Sequence, residues 1–189
     1  MTTDVDICNM ALLSLGESKI SALSDQTTRA TVCSLFYAPV RDAVLESFPW
    51  NFATFRAALT LDASAPLYDF ANQYDLSLLT PTCLRVLDVE GDTVKWRREG
   101  SMLLSDEDSL NARYIGQVTD ENDFTPTFVL VFAARLAAEI AYPITKSRTK
   151  EEQAWKLYEL KEIDAFGNQS QEGSLDDVDE SDVLIGSRG

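Results

Sequence analysis

The stretch that most limits how this chain can fold is TPTFVLVFAARLAAEIAYP, from Thr125 to Pro143. Thr125 offers a hydroxyl cap, and Pro126 fits a first helical position, where no N–H is needed. From Phe128 to Tyr142 only Arg135 and Glu139 interrupt the apolar side chains. A helix apolar on all sides must be covered on all sides. It is short and charged for a membrane span, which wants about 20 apolar residues, so no membrane is expected. The spacing predicts a central helix over 126–142 with other helices or other subunits packed round it. Arg135 and Glu139, four apart, share a face with Phe128, Phe132 and Tyr142. Two readings are open for them: a local pair at the rim of the core, or contacts to a neighbouring chain.

Two helices precede it. The first is predicted over 4–15, with Thr3 as N-cap, Asp4 and Asp6 at the positive end of the dipole, and Gly16 beyond the C-terminus. Its stripe is Val5, Cys8, Leu12 and Leu15. The second is predicted over 26–47, starting near Asp25. Its stripe is Cys33, Phe36, Tyr37, Val40, Ala43, Val44 and Phe48. Pro39 removes one ladder hydrogen bond and crowds the Leu35 carbonyl, which predicts a kink or a break. Pro49 ends the element.

Beyond Pro49 the apolar period changes to two. Ala53, Phe55, Ala57, Leu59 and Leu61 alternate with mostly polar residues, the pattern of a strand with one buried face. Further strands are predicted at Tyr74–Leu79, Leu84–Val89, Thr93–Arg98, Met102–Leu104 and Leu110–Val118. Gly91-Asp92 and Gly100-Ser101 fall where hairpin turns would sit. Trp50 and Phe52 should lie buried at the junction. A last helix, 149–166, is predicted from a capping box of Thr149 with Glu152. Its apolar residues Ala154, Trp155, Leu157, Tyr158, Leu160 and Ile163 spread round the circumference, as suits a helix touching two surfaces. The fold class is therefore α+β. An antiparallel helical bundle (1–50 and 123–166) would carry an inserted antiparallel β lobe (51–122) and an acidic C-terminal tail (167–189). That tail holds six acids against Arg188 and cannot build a core alone. Its one apolar anchor is Val183-Leu184-Ile185, which would dock on a neighbouring subunit or another partner.

Composition narrows the chemistry. A formal charge of −15 opposes gripping phosphates as the main task. The sequence has no histidine, which removes Ser-His-Asp and Cys-His catalysis and His-ligated metals together. Cys8 and Cys33 fall on apolar helix faces, and with Cys83 they read as reduced residues of a cytoplasmic product. The opening MTTDVD shows no apolar signal region. No P-loop, GxGxxG, GxSxG or CxxC occurs, so no cofactor is expected. Acidic clusters at 106–108, 120–123 and 176–180 lack the order of a calcium loop, so no metal is expected either. The run Lys95-Trp96-Arg97-Arg98 should pair with acids across the sheet or on the next subunit.

Four fragments carry a resemblance: ICNMALLSLGE at 7–17, TRATVCSLFYAPVRDAVLESFPWNFA at 28–53, PTCLRVLDV at 81–89 and FTPTFVLVFAARLAAEIAYPIT at 124–145. Together they resemble the tail tubular protein A family of short-tailed bacteriophages, adaptor rings between portal and tail nozzle. FPWNFA and RLAAEIAYP are the most distinctive segments, and the likeness spans about 1–166. It implies a non-catalytic homo-oligomeric ring, usually of twelve subunits. Its partners would be itself, the portal and the nozzle, with DNA passing through unbound. It would reside at the head-tail junction of the virion after assembly in the host cytoplasm. The tail matches no family pattern. Two alternatives stand beside this reading: another phage neck or head-completion protein of helical design, or a small acidic hydrolase using a carboxylate pair.

Overall fold

The computed structural model describes residues 2–169. Four helices and two small antiparallel sheets make the chain α+β. The helices are α1 (Asp4–Ser14), α2 (Thr28–Ser47), α3 (Pro126–Thr145) and α4 (Arg148–Gln169). The strands are β1 (Thr54–Ala58), β2 (Asn72–Asp75), β3 (Cys83–Val89), β4 (Trp96–Glu99), β5 (Met102–Ser105) and β6 (Asn111–Gly116). All six strands fall between α2 and α3 in the chain. Acidic segment 170–189, with Val183, Leu184 and Ile185, lies outside the described residues.

Helix starts follow local chemistry. The Thr3 hydroxyl accepts the Asp6 N–H while the Asp6 carboxylate accepts the Thr3 N–H, a closed capping box. Those bonds hold the Asp6 carboxyl below its ordinary range. Gly16 takes φ +73, and the Glu17 N–H bonds back to Leu12, so the glycine ends α1 as expected. Thr27, not Asp25, caps α2 by accepting the Ala30 N–H. Asp25 instead holds the Ser21 and Ala22 amides of the preceding turn. Thr125 caps α3 at the Phe128 N–H. The start expected at Thr149 is corrected: Ser147 caps α4, accepting the Lys150 N–H, and Thr149 is helical.

Neither proline stops its helix. α2 runs unbroken through Pro39 because Pro39 and Leu35 both face solvent, where water replaces the missing donor. α3 continues through Pro143 to Thr145, and Lys146 in the left-handed region closes it with an N–H to Tyr142. So close to a C-terminus, proline costs one ladder bond. α4 likewise passes the expected end at Phe166 and reaches Gln169.

α3 is the hub. It packs against α1, α2 and α4, with Phe128, Phe132, Leu136 and Ile140 fully buried. By length and composition alone it meets the description of a membrane span, yet here three helices cover it. Its five alanines, Ala133, Ala134, Ala137, Ala138 and Ala141, are all buried and let neighbouring backbones approach. Cys8 and Cys33 meet between α1 and α2, both free and fully buried. Contact with Cys33, and burial, push the Cys8 thiol well above its ordinary range.

The sheets run β1-β6-β3 and β2-β5-β4. They enclose a second core of Leu59, Tyr74, Leu76, Cys83, Val86, Val89, Leu103, Leu110, Ala112 and Tyr114. The expected hairpin at Gly91-Asp92 is not formed: β3 pairs with β6, and this loop carries the chain to the other sheet. Gly100, with φ +60, does turn the β4–β5 hairpin. Four strands, β1, β2, β4 and β6, are shorter than their patterns suggested. Asn51–Ala53 is a 3-10 turn before β1, and Leu61 is 47% exposed rather than buried. β2 stops where the Asp75 carboxylate accepts the Ser77 N–H and winds Leu76–Leu78 into a 3-10 turn. β4 begins at Trp96, not Thr93.

The sheets meet on two sides by different means. On one, Leu61 bridges Tyr74, with backbone bonds from Asp62 to Gln73 and from Asp75 to Thr60. On the other, the Arg98 guanidinium donates to the Leu84 carbonyl at 2.7 Å. Trp50 joins the lobe to the helices. It is fully buried, donates from Nε1 to the Val44 carbonyl at 2.8 Å, and meets Phe128 edge-on at 5.1 Å. Phe52 beside it is half-buried.

Candidate interaction surfaces

Arg135 and Glu139 form the local pair. Arg135 Nη2 lies 2.9 Å and Nε 3.1 Å from Glu139 Oε1. The guanidinium faces α4 of the same chain, 4.5 Å from the Trp155 ring centre and 5.1 Å from that of Tyr158. A desolvated guanidinium on aromatic faces is worth about 0.5–2 kcal/mol. The cluster therefore fastens α3 to α4. Tyr142, predicted on the same face, packs under Arg148 instead, 4.1 Å away.

Tyr158 is buried and donates its hydroxyl to Glu162. Burial first, then that carboxylate, pushes the phenol up to about 12. An unfolded tyrosine titrates near 10. The folded chain thus holds this proton more tightly. The resulting stability is complete below pH about 10 and is lost as pH rises towards 12. Alkaline unfolding of Tyr158→Phe should show a shallower loss over that window than the parent chain, followed by circular dichroism.

A groove of about 460 Å³ opens on the face of the β1-β6-β3 sheet. Arg56 and Arg113 stand directly opposite in register, an arrangement that repels unless anions balance it. Asp88 pairs with Arg113, and Glu90 accepts from the Asn111 amide at 2.6 Å. Each of these carboxylates thus has a partner in the groove. Among the described residues, no three His, Cys, Asp or Glu side chains converge as metal ligands. The acids in loops work as turn locks. Asp106 holds the Ala71 amide, Asp108 the Asn72 side chain, and Asp120 the Asn122 amide. The basic run departs from expectation: Arg97 lies 3.8 Å from Asp69 and Glu99, but Arg98 binds carbonyls, not acids.

Apolar side chains stand out at separate places. On α4, Leu157, Leu160 and Ile163 face outward, the last two 62% and 67% exposed. Ala154, Tyr158 and Ala165 of the same helix are buried, so α4 carries two apolar faces. Beside Leu157 a cleft of about 310 Å³ runs to Ser14, Leu15 and Gly16, with Lys150 Nζ bonded across it to the Leu15 carbonyl. In the loop between β1 and β2, Leu67 is 97% and Tyr68 75% exposed. Leu35 projects from α2. Sequence reading missed the loop, because two apolar residues without periodicity carry no signal. The second face of α4 was visible as the spread of its apolar positions. No family model matches the chain, and no curated protein matches it.

Proposed function

We propose that this chain is a structural subunit of a phage head-to-tail adaptor ring of the tail tubular protein A type, joining portal to nozzle and lining a DNA passage. In this reading the helices form an antiparallel bundle that builds the ring, the β lobe is an insertion facing the nozzle, and 167–189 is an acidic tail. The observation that carries the proposal is the separation of the apolar surfaces on α4, on α2 and on the loop at Leu67-Tyr68. A head-to-tail ring needs two different lateral patches on each subunit, because its contacts are heterologous, and axial partners need another. Of the apolar surfaces, that of Leu157, Leu160 and Ile163 is a contiguous patch, the kind of feature that marks an interaction site. The β structure between α2 and α3 also favours this reading over a neck protein built of helices alone. The charge of −15 suits a tunnel wall that phosphates do not adhere to, since repulsion acts over about 8 Å at physiological salt.

Electron microscopy of the purified protein, alone and mixed with portal, is the direct test. Rings in the mixture, lost on changing Leu35 and Leu67 to Asp in a chain that still folds, are the expected result. A protein that stays monomeric beside assembled portal overturns the reading.

A further inference from the structure

The outward face of α4 is its own complement when a second copy is laid against it antiparallel. Leu160 stands exposed at the centre of that face, with Leu157 three residues before it and Ile163 three after. Lys156 lies four before Leu160 and Asp164 four after, both exposed. At about 100° per residue, the lysine and the aspartate project about 40° to either side of Leu160, and Leu157 and Ile163 about 60°. The opposite side of the helix, with Ala154, Tyr158 and Ala165, is buried in its own chain. The other charges lie off this arc or have partners. Glu159 and Lys161 project about 100° from Leu160, at the two rims, and Glu152 lies about two turns towards the N-terminus. Lys150 is bonded to the Leu15 carbonyl, and Glu151 to Arg148. Neither Lys156 nor Asp164 has an ion-pair partner among the described residues. About 12 Å of helix separates them, too far for a pair within the chain.

We infer that two copies of the chain pair through this face, with their α4 helices antiparallel and the two-fold axis at Leu160. Antiparallel alignment about Leu160 sets each residue level with the one equally far on the other side of it. Leu160 then meets Leu160 of the second copy, Leu157 lies level with Ile163, and Lys156 level with Asp164. At an interaxial spacing of about 8–10 Å, a lysine and an aspartate at one level can reach each other. One axis therefore pairs both lysines with both aspartates and covers six aliphatic side chains. A parallel alignment would instead set lysine against lysine and aspartate against aspartate. The charge pattern selects a second copy, because a partner of one sign would satisfy one of these groups and repel the other. The contact does not rest on the ring reading. It is isologous and closes at two copies, whereas the contacts round a ring are heterologous. Where both hold, the dimer gives up this contact before α4 takes a place in a ring.

Sedimentation equilibrium of the full-length protein tests this without any other protein. The expected result is a mass that rises from 21.0 kDa towards twice that value between micromolar and millimolar concentration. Leu160→Asp sets two carboxylates on the axis and should hold the chain at one copy, with circular dichroism unchanged because the site is exposed. Lys156→Asp or Asp164→Lys alone should weaken dimerisation about tenfold, since two surface pairs become two repulsions. The double reversal, Lys156→Asp with Asp164→Lys, should restore it. A single-copy mass throughout overturns the proposal. So does a dimer that survives Leu160→Asp, or a double reversal that dimerises as weakly as the single ones. The ring test changes Leu35 and Leu67 and reads assembly on portal, so either reading can fail without the other.

Discussion

Trp50→Ala is expected to destabilise the folded chain by about 3–5 kcal/mol, the usual cost of emptying a large aromatic site. Little of the void can close. The ring is walled by Phe48, Phe52, Phe128 and Phe166, which come from three parts of the chain and lean on one another. The substitution also removes one of the two donors to the Val44 carbonyl, leaving the Ser47 hydroxyl. A domain of this size has about 5–15 kcal/mol in total, so the variant should melt far below the parent or fail to fold. Trp50→Phe fills most of the space but lacks the N–H. It should lose substantially less, and urea melts of the two variants separate volume from hydrogen bond. Equal losses would mean that packing round this ring matters little.

A comparably large effect is expected from Leu136→Asp in α3. Leu136 is fully buried and belongs to the main hydrophobic core. An uncompensated buried charge typically costs about 3–5 kcal/mol. On the same helix, Leu130 is 46% exposed, and Leu130→Asp should change stability by less than about 1 kcal/mol. The contrast reads out which side of α3 its neighbours cover. Similar melts for both variants would contradict the packing, whereas a large gap is the signature of a core helix with one open strip.

The sequence was most legible where one physical demand acted alone. Thr3 and Thr125 sit where an unsatisfied N–H needs an oxygen, and Gly16 sits where φ must be positive. The all-round apolar run of α3 allowed only enclosure. It was less legible where two demands competed. Pro39 read as a kink or a break, and the helix over 126–142 was expected to stop short of Pro143, but tertiary packing on the other side of each helix outweighs one lost bond. The partner of β3 could not be read at all, because Gly91-Asp92 has hairpin chemistry while pairing with β6 depends on contacts distant in sequence. For the candidate site, the spacing of Arg135 and Glu139 announced their pair, but nothing in it revealed Trp155 and Tyr158 beneath the guanidinium. Arg41 gave no signal either. It sits on α2, 7% exposed, bound to Asp42, which in turn holds Gln117 beyond β6.

The unequal joins between the two sheets make the lobe resemble a book. Its spine is the backbone crossing at Leu61 and Tyr74, and its clasp is the side chain of Arg98 on Leu84. No strand ladder ties β3 to β4, so on that side the covers are held by the guanidinium and by the apolar side chains between them, Val86 and Val89 among those of β3. Parting them there would break no ladder hydrogen bond but would wet that core, so the clasp side of the lobe is held by burial where the spine is held by backbone.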